Sequence, residues 1–279
     1  MRSNYQMGLC RFHPEDSGIV FAACGPTLYR YDLRASDDIM ISSASASFEC
    51  SDDINDFDID LTSGNLCVPS DDGGVSILSK DLSLLATTGE HNNHENVCGV
   101  TRWIPNSDCF VSAGHDQRLM QWSYDSVKGK VRRLKQIQID SLYPDDSFGM
   151  SVANPRFVTA VDVLSNGRDA RMAVGIGDGS VLELDVIEGL VAFRKPRSLM
   201  KDLHASSVSS ISYASEFGFN RSRIWTAGND GNLTLCSTYN SSDPLVRLPL
   251  PSKPNVVKSV QPGTVAVSSV DNNIYIYTL

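Results

Sequence analysis

The sequence predicts an all-β fold built from a repeated unit, and three observations support this. One pattern recurs along the 279 residues: an apolar run, small residues, a Gly/Asp turn and then an alternating run. The turns contain Asp-Gly or Gly-Gly pairs, which supply the positive φ angles that tight β-hairpins require. No long segment has the 3.6-residue apolar period of a helix. Because one such unit cannot bury its own apolar face, neighbouring copies must bury it.

Six copies of the pattern follow one another along the chain, at residues 20–34, 66–78, 110–122, 172–185, 224–235 and 265–277. A period of about 40–45 residues with four strands per unit is typical of β-propeller blades. We therefore expect a single β-propeller domain over residues 1–279, with blades near 7–50, 51–92, 93–140, 150–196, 203–250 and 255–279.

The third unit illustrates why each element of a blade is expected. An apolar stretch, 97–103, ends just before Pro105, because the end of a strand tolerates a missing N–H. The runs 110–114 and 118–122 flank the turn at Asp116 and indicate a hairpin. The basic segment 128–135 is interpreted as a solvated outer strand whose charges protect a sheet edge. A binding surface is the alternative for that segment.

The composition argues against several classes of protein. The net charge of −9 makes non-specific nucleic-acid binding an unfavourable interpretation. No apolar run approaches the roughly 20 residues of a membrane helix, so we expect no membrane association. The seven cysteines form no C-x-x-C pair, and without an export signal they indicate reduced thiols in a cytoplasmic and/or nuclear protein. The scattered histidines have no metal-ligand spacing, and we expect no metal, cofactor or small-molecule substrate.

Four residues of the third unit, each with a polar side-chain group, indicate which family of repeats the chain resembles. His94 precedes the first strand, Ser112 lies on the second, Asp116 in the turn and Trp122 on the third. In this respect the unit resembles the WD40 family, whose blades contain these residue types. The resemblance implies a buried hydrogen-bond network that runs from the Trp N–H through Ser and His to Asp. Such a network is physically reasonable, because each member satisfies the polar group of the next.

The fifth unit keeps three of these residues, His204, Thr226 and Asp230, but has Cys236 where the Trp is expected. The other units lack the His, so their blades must rely on apolar packing. A His/Ser/Asp set also occurs in hydrolases. No G-x-S-x-G turn accompanies it here, and we therefore predict a noncatalytic protein rather than an enzyme.

The first unit ends in the tetrapeptide Tyr31-Asp32-Leu33-Arg34. It is similar to the W-D-x-R box of substrate receptors for cullin-4-type RING ubiquitin ligases, with Tyr in place of Trp. The resemblance implies that Arg34, with Asp32 and Tyr31, contacts the ligase adaptor while the propeller holds a target protein. Arg suits this contact because its guanidinium is a rigid, permanently charged fork of donors.

Two alternatives remain open for this box and for the chain. Arg34 can be an ordinary exposed loop residue. The chain can then be a general WD40 scaffold subunit of a chromatin or trafficking complex with no ligase role. In every case the expected partners are proteins.

The chain ends lead to a further expectation. Propellers of the WD40 family usually close with one blade shared by both termini, but only six residues precede Met7. We therefore expect a last blade of three strands with an unpaired edge at 274–278, and a seventh blade encoded upstream of Met1. An open apolar edge of this kind favours pairing with another chain.

Overall fold

A computed structural model describes residues 7–35, 41, 43–143, 154–167, 169–214, 222–238 and 244–278. Six antiparallel sheets follow one another along the chain and form a six-bladed β-propeller, which confirms the predicted all-β fold class. Within these ranges two short 3₁₀ helices occur between strands, Glu90–Asn92 and Ile139–Leu142. Within the ranges given, no helix has the length and apolar character needed to cross a membrane.

The chain divides into two compact units, of which the first ends near residue 136 and contains blades 1 to 3. Its strands are β1 Met7–Phe12, β2 Ile19–Cys24, β3 Thr27–Asp32, β4 Ala46–Glu49, β5 Asp58–Ile59, β6 Leu66–Pro69, β7 Val75–Leu78, β8 Leu84–Thr87, β9 Cys98–Trp103, β10 Cys109–Gly114, β11 Arg118–Asp125 and β12 Lys130–Gln138. In each blade four consecutive strands pair in sequence order. The basic segment predicted as an outer strand falls on β12, at the edge of blade 3.

The second unit begins near residue 137 and contains blades 4 to 6. Its strands are β13 Val158–Ser165, β14 Asp169–Ile176, β15 Val181–Ile187, β16 Leu190–Val191, β17 Ser198–Met200, β18 Val208–Ala214, β19 Arg223–Gly228, β20 Asn232–Ser237, β21 Val246–Pro249, β22 Pro254–Gln261, β23 Thr264–Ser269 and β24 Ile274–Thr278. Blade 5 has four strands, and blade 6 has three within the described residues.

Blade 4 extends beyond residue 196, where the sequence pattern placed its end. The fourth strand, β16, contains only two residues and covers only the last part of β15. The first part of β15 pairs instead with β17, in the register Val181 to Met200. A fifth short strand is present because the main-chain groups of β15 would otherwise lack partners.

The core of each unit lies between the facing sheets of neighbouring blades. Between blades 2 and 3, Cys67 and Ile77 pack against Phe110 and Trp122. The Phe110 ring is stacked 6.1 Å from that of Trp122 and meets Trp103 edge-on at 5.3 Å. Full burial of a side chain such as Phe110 contributes about 1.5–3 kcal/mol. The repeat therefore specifies the fold by supplying one apolar face to each neighbour.

A recurring hydrogen bond links the first strands of successive blades within each unit. In the first unit, Asp58 Oδ2 accepts the Trp103 backbone N–H at 2.8 Å. In the second, Asp162 Oδ2 accepts the Tyr213 backbone N–H at 2.8 Å. A carboxylate on one inner strand thus satisfies the end of the next inner strand and fixes its position.

The outer strand of blade 6 is apolar and largely exposed. Ile274 and Ile276 are 71% and 69% exposed, whereas Tyr277 packs against the core between blades 5 and 6. In the described part of the chain no strand pairs with the second edge of β24. Residues 1–6, which precede the first strand, lie outside that part.

Candidate functional site

The structure joins the four predicted network residues of blade 3. His94 Nδ1 lies 2.9 Å from the carboxylate oxygens of Asp116, and Nε2 lies 2.8 Å from Ser112 Oγ. Trp122 Nε1 donates to the same hydroxyl oxygen at 2.8 Å. If Nδ1 carries the His proton, Ser112 donates to Nε2 and every polar group is satisfied. All four side chains are buried.

This geometry favours a structural role for the network over the hydrolase alternative. Ser112 is fully buried, its hydroxyl lies against His94, and its oxygen accepts from Trp122. A hydrolase needs its hydroxyl at a surface that a substrate can reach. The side chains instead tie the loop before β9 to the β10–β11 turn, which positions the end of the blade.

Blade 5 repeats the arrangement without the Trp. His204 Nδ1 lies 3.0 Å from Asp230 Oδ1, and Nε2 lies 2.8 Å from Thr226 Oγ1. Burial lowers the pKa of His204, so its neutral form is favoured. The pKa of Asp230 is also lowered, because the Ala205 N–H and His204 outweigh its burial. At the Trp position, burial raises the pKa of the Cys236 thiol to about 12.

Blade 4 contains an equivalent that the sequence pattern did not reveal. Arg156 Nε donates to Asp178 Oδ2 at 3.1 Å, across the same 22-residue separation as His94 and Asp116. The guanidinium also lies over the Tyr143 ring, 3.8 Å from its centroid, and Tyr143 OH donates to Asp178 at 3.2 Å. The conserved element is therefore the turn carboxylate, whereas its partner changes. The 22-residue separation is the sequence signal from which the Arg156–Asp178 pair could have been predicted.

Serine hydroxyls hold the turn aspartates in two further blades. Asp72 accepts from Ser51 and from Ser70, and the Gly74 N–H donates to it at 2.8 Å. Asp271 likewise accepts from Ser269 and from Tyr275. Ser70, Ser269 and Tyr275 lie within the hairpins themselves, whereas Ser51 comes from the segment that precedes blade 2.

A buried charge cluster in the first unit was also missed. Asp56 is 6% exposed and binds Arg11 at 3.0 Å and Arg102. These residues come from three successive blades, so their proximity depends on the repeat being folded. The neighbouring Asp58 is half-buried, and desolvation of its carboxyl raises its pKa. Aspartates recur between positions 52 and 60 of the sequence, and this acidic segment lies partly in the interior.

The second unit has a related cluster around Glu183, which is fully buried. Its Oε1 accepts from Tyr213 OH at 3.1 Å and from Ser222 Oγ at 3.2 Å, and its Oε2 lies 3.4 Å from Arg197 Nε. Burial raises the pKa of Glu183. Tyr213 and Ser222 belong to blade 5 and bind a residue of blade 4, which explains why sequence spacing did not predict these two contacts.

Arg34, the predicted adaptor contact, lies at the surface just after β3. Its side chain is 61% exposed, and its guanidinium is paired with two carboxylates. Nε and NH2 donate to the two oxygens of Asp32 at 2.9 and 3.1 Å, and NH2 also donates to Asp16 at 3.1 Å. The hydrogen bonds from Arg34 lower the pKa of Asp32. A Cβ at Gly18 would lie 2.9 Å from Arg34 Nε, so glycine makes room for this arrangement.

Tyr31, the third predicted contact, is half-buried on β3. Its ring lies 6.3 Å from that of Tyr29, with an interplanar angle of 37°. Burial raises its pKa, so the phenol stays protonated at neutral pH. The structure therefore places Tyr31 and Asp32 at the end of β3 and Arg34 two residues beyond it.

Among the residues that the structure describes, no group of three or more His, Cys, Asp or Glu side chains could hold a metal ion. The six antiparallel sheets form a β-propeller, and this fold is consistent with the WD40 resemblance of the sequence. A scan against protein-family models and a search of curated proteins found no match for this chain.

Proposed function

We propose that this protein is a noncatalytic interaction scaffold and, more specifically, a substrate receptor of a cullin-4-type RING ubiquitin ligase. The observation that carries the proposal is the exposed guanidinium of Arg34, which Asp32 and Asp16 hydrogen-bond. The propeller fold is compatible with a scaffold and typically serves non-catalytic binding. The adaptor would dock at the end of blade 1 where Arg34, Asp32 and Tyr31 lie.

The orientation of Arg34 supports a docking role. Asp32 engages the guanidinium in bidentate fashion, and Asp16 adds a third contact. An exposed arginine normally loses side-chain entropy on binding, which costs about 0.5–1.5 kcal/mol for each ordered side chain. In this structure Asp32 and Asp16 already hydrogen-bond the Arg34 side chain without a partner, so part of this cost would be met before binding. NH1 has no hydrogen-bond partner within the described residues, so it can donate to a partner protein.

The same contacts also support the alternative function, a general scaffold with no ligase role. The carboxylates of Asp32 and Asp16 neutralise much of the Arg34 charge and fasten the β1–β2 turn to the end of β3. An arginine with this role stabilises a loop and needs no partner. In that case the chain would be a subunit of a chromatin or trafficking complex, and its binding face would lie elsewhere.

Sequence features outside the tetrapeptide 31–34 support a narrower proposal about which protein this chain is related to. The Val97-Cys98 strand, the Asn154-Pro155 lead-in and the ending 274–279 resemble WD repeat-containing protein 53. We extend the proposal to a cytoplasmic and/or nuclear location, where reduced cysteines and a ubiquitin ligase are both expected.

Affinity purification of the tagged chain from cells tests the proposal. The Arg34→Ala variant is expected to lose the ligase adaptor while keeping the wild-type melting temperature. Arg132→Ala, which removes an exposed arginine from β12, is the matched control and should retain the adaptor. Equal adaptor yields from wild type and Arg34→Ala would favour the general scaffold instead.

A further inference from the structure

The first unit contains a polar cleft at the end of blades 2 and 3. It has a volume of about 380 Å³ and lies between the β5–β6 turn, the β9–β10 turn and the end of β11. Trp103 and Tyr124 form its buried part, and Asp60 and Asp108 contribute carboxylates. None of the described residues that line it is basic. Its volume lies in the range of small ligand sites, which is sufficient for one long side chain.

Asp60 is the chemically unusual residue of this cleft. It is 8% exposed, and its Oδ2 accepts from the Ser63 N–H at 2.8 Å and from Ser63 Oγ at 2.6 Å. Oδ1 has no hydrogen-bond partner, and the carboxylate has no basic partner, within the described residues. By contrast, buried Asp56 is paired with two arginines. A buried carboxylate without a cation is costly, so a cation supplied from outside would be favoured.

Two aromatic side chains also line the cleft. Trp103 and Tyr124 are 5% and 6% exposed and line the cleft beside Asp60. Ammonium and guanidinium groups bind to such rings within about 6 Å of the centroid. A cleft that combines carboxylates with aromatic rings and hydroxyls suits the end of a lysine or arginine side chain.

The cleft lies at the same end of the first unit as Arg34. Gly64, in the β5–β6 turn, is so close to blade 1 that a Cβ there would lie 2.8 Å from His13 Nε2. His13 directly follows β1 and precedes the turn that contains Asp16 and Gly18, which hold Arg34. The β1–β2, β5–β6 and β9–β10 turns therefore form one continuous surface.

We infer that this cleft binds a lysine or arginine side chain of the protein partner that docks on Arg34. The inference rests on the proposed function for the identity of the partner, but the preference for a cation depends only on the cleft. Arg34 would donate to acceptors of the partner, and the cleft would accept its basic side chain. The two sites together would fix the partner's orientation through charges of opposite sign.

Three blocked tripeptides test the chemistry of the cleft in the full 279-residue chain. They are Ac-Ala-Arg-Ala-NH2, Ac-Ala-Lys-Ala-NH2 and the neutral Ac-Ala-Gln-Ala-NH2, titrated at millimolar concentration with tryptophan fluorescence as the readout. We expect a saturable change with at least one basic peptide, and an affinity about tenfold above that of the Gln peptide. The Trp103→Phe variant should lose the signal.

Carboxamide variants complete the test. Asp60→Asn and Asp108→Asn are each expected to weaken basic-peptide binding about threefold or more. Asp108 is exposed, so its variant stays informative if Asp60→Asn fails to fold. Asp81→Asn, a carboxylate outside the cleft, should bind as wild type does. Equal binding of the Gln peptide, unchanged affinity in both variants, or no saturable signal with either basic peptide would overturn the inference.

The Arg34→Ala variant separates this inference from the proposed function. It should bind the basic peptides with wild-type affinity, because Arg34 does not line the cleft. A failed peptide experiment therefore overturns the cleft inference alone, and unchanged adaptor binding by Arg34→Ala overturns the adaptor proposal alone.

Discussion

At the scale of single residues, one hydrogen bond distinguishes two buried tryptophans of blade 3. Trp122 Nε1 donates to Ser112 Oγ, whereas Trp103 Nε1 is buried with no hydrogen-bond partner among the described residues. In the second unit Tyr213 lies near the end of the corresponding inner strand, β18, and its hydroxyl donates to buried Glu183. In the first unit Trp103 packs in the same cluster as Ile77. Ile77 is apolar, so unlike Glu183 it offers no acceptor for a ring N–H or hydroxyl.

Trp122→Phe is expected to destabilise the protein more than Trp103→Phe. Both variants lose similar ring volume, so the difference isolates the hydrogen bond and should amount to about 1–2 kcal/mol. Urea unfolding of the two variants, followed by circular dichroism, measures it. A loss for Trp103→Phe that equals or exceeds the loss for Trp122→Phe would contradict this assignment.

His204 should make stability depend on pH. Burial lowers its folded-state pKa below the ordinary value of 6.5, so the unfolded chain binds more protons as the pH falls. The contribution of His204 is therefore fully present above about pH 6.5 and is lost as the pH falls toward the folded pKa. Urea midpoints at neutral and mildly acidic pH should show this loss.

The His204→Gln variant should have a flatter pH profile than wild type over that range. The exposed His91→Gln is the control and should keep the wild-type profile. An unchanged slope in His204→Gln would mean that another group causes the pH dependence.

At the scale of structural elements, the central hairpin turns of blades 2 to 6 each contain an aspartate, but the groups that bind it differ. His94 serves blade 3, Arg156 serves blade 4, and serines serve the turn at Asp72. The turn itself is local chemistry, which explains why the Asp-Gly pattern located the hairpins. The partner is recruited from the preceding loop, and any donor of suitable reach can fill that position.

Arg156→Ala is expected to destabilise the protein by about 1–3 kcal/mol, because Asp178 and Tyr143 would lose their charged partner. Chemical denaturation measures the loss. The exposed Arg194→Ala, also in the second unit, should cost much less. Similar losses in the two variants would show that the Arg156 contacts contribute little.

At the scale of the whole molecule, the sequence predicted the six-bladed architecture but only part of the polar interior. The architecture was accessible because each repeat carries its own hairpin signals, such as Asp230-Gly231. The clusters around Asp56 and Glu183 were not, because their partners come from neighbouring blades and meet only after folding. Likewise, one of the hydrogen bonds of the Arg34 guanidinium is accepted by Asp16, which lies 18 residues away in another turn.

The most direct test of the central proposal measures binding of the purified chain to the purified adaptor of a cullin-4-type RING ligase. We expect saturable binding by wild type and an affinity lower by about thirtyfold, or 2 kcal/mol, in Arg34→Ala. Arg34→Lys should also bind weakly, because an ammonium cannot reproduce the bidentate contacts with Asp32. No binding by the wild-type chain, or equal affinity for wild type and Arg34→Ala, would contradict the account.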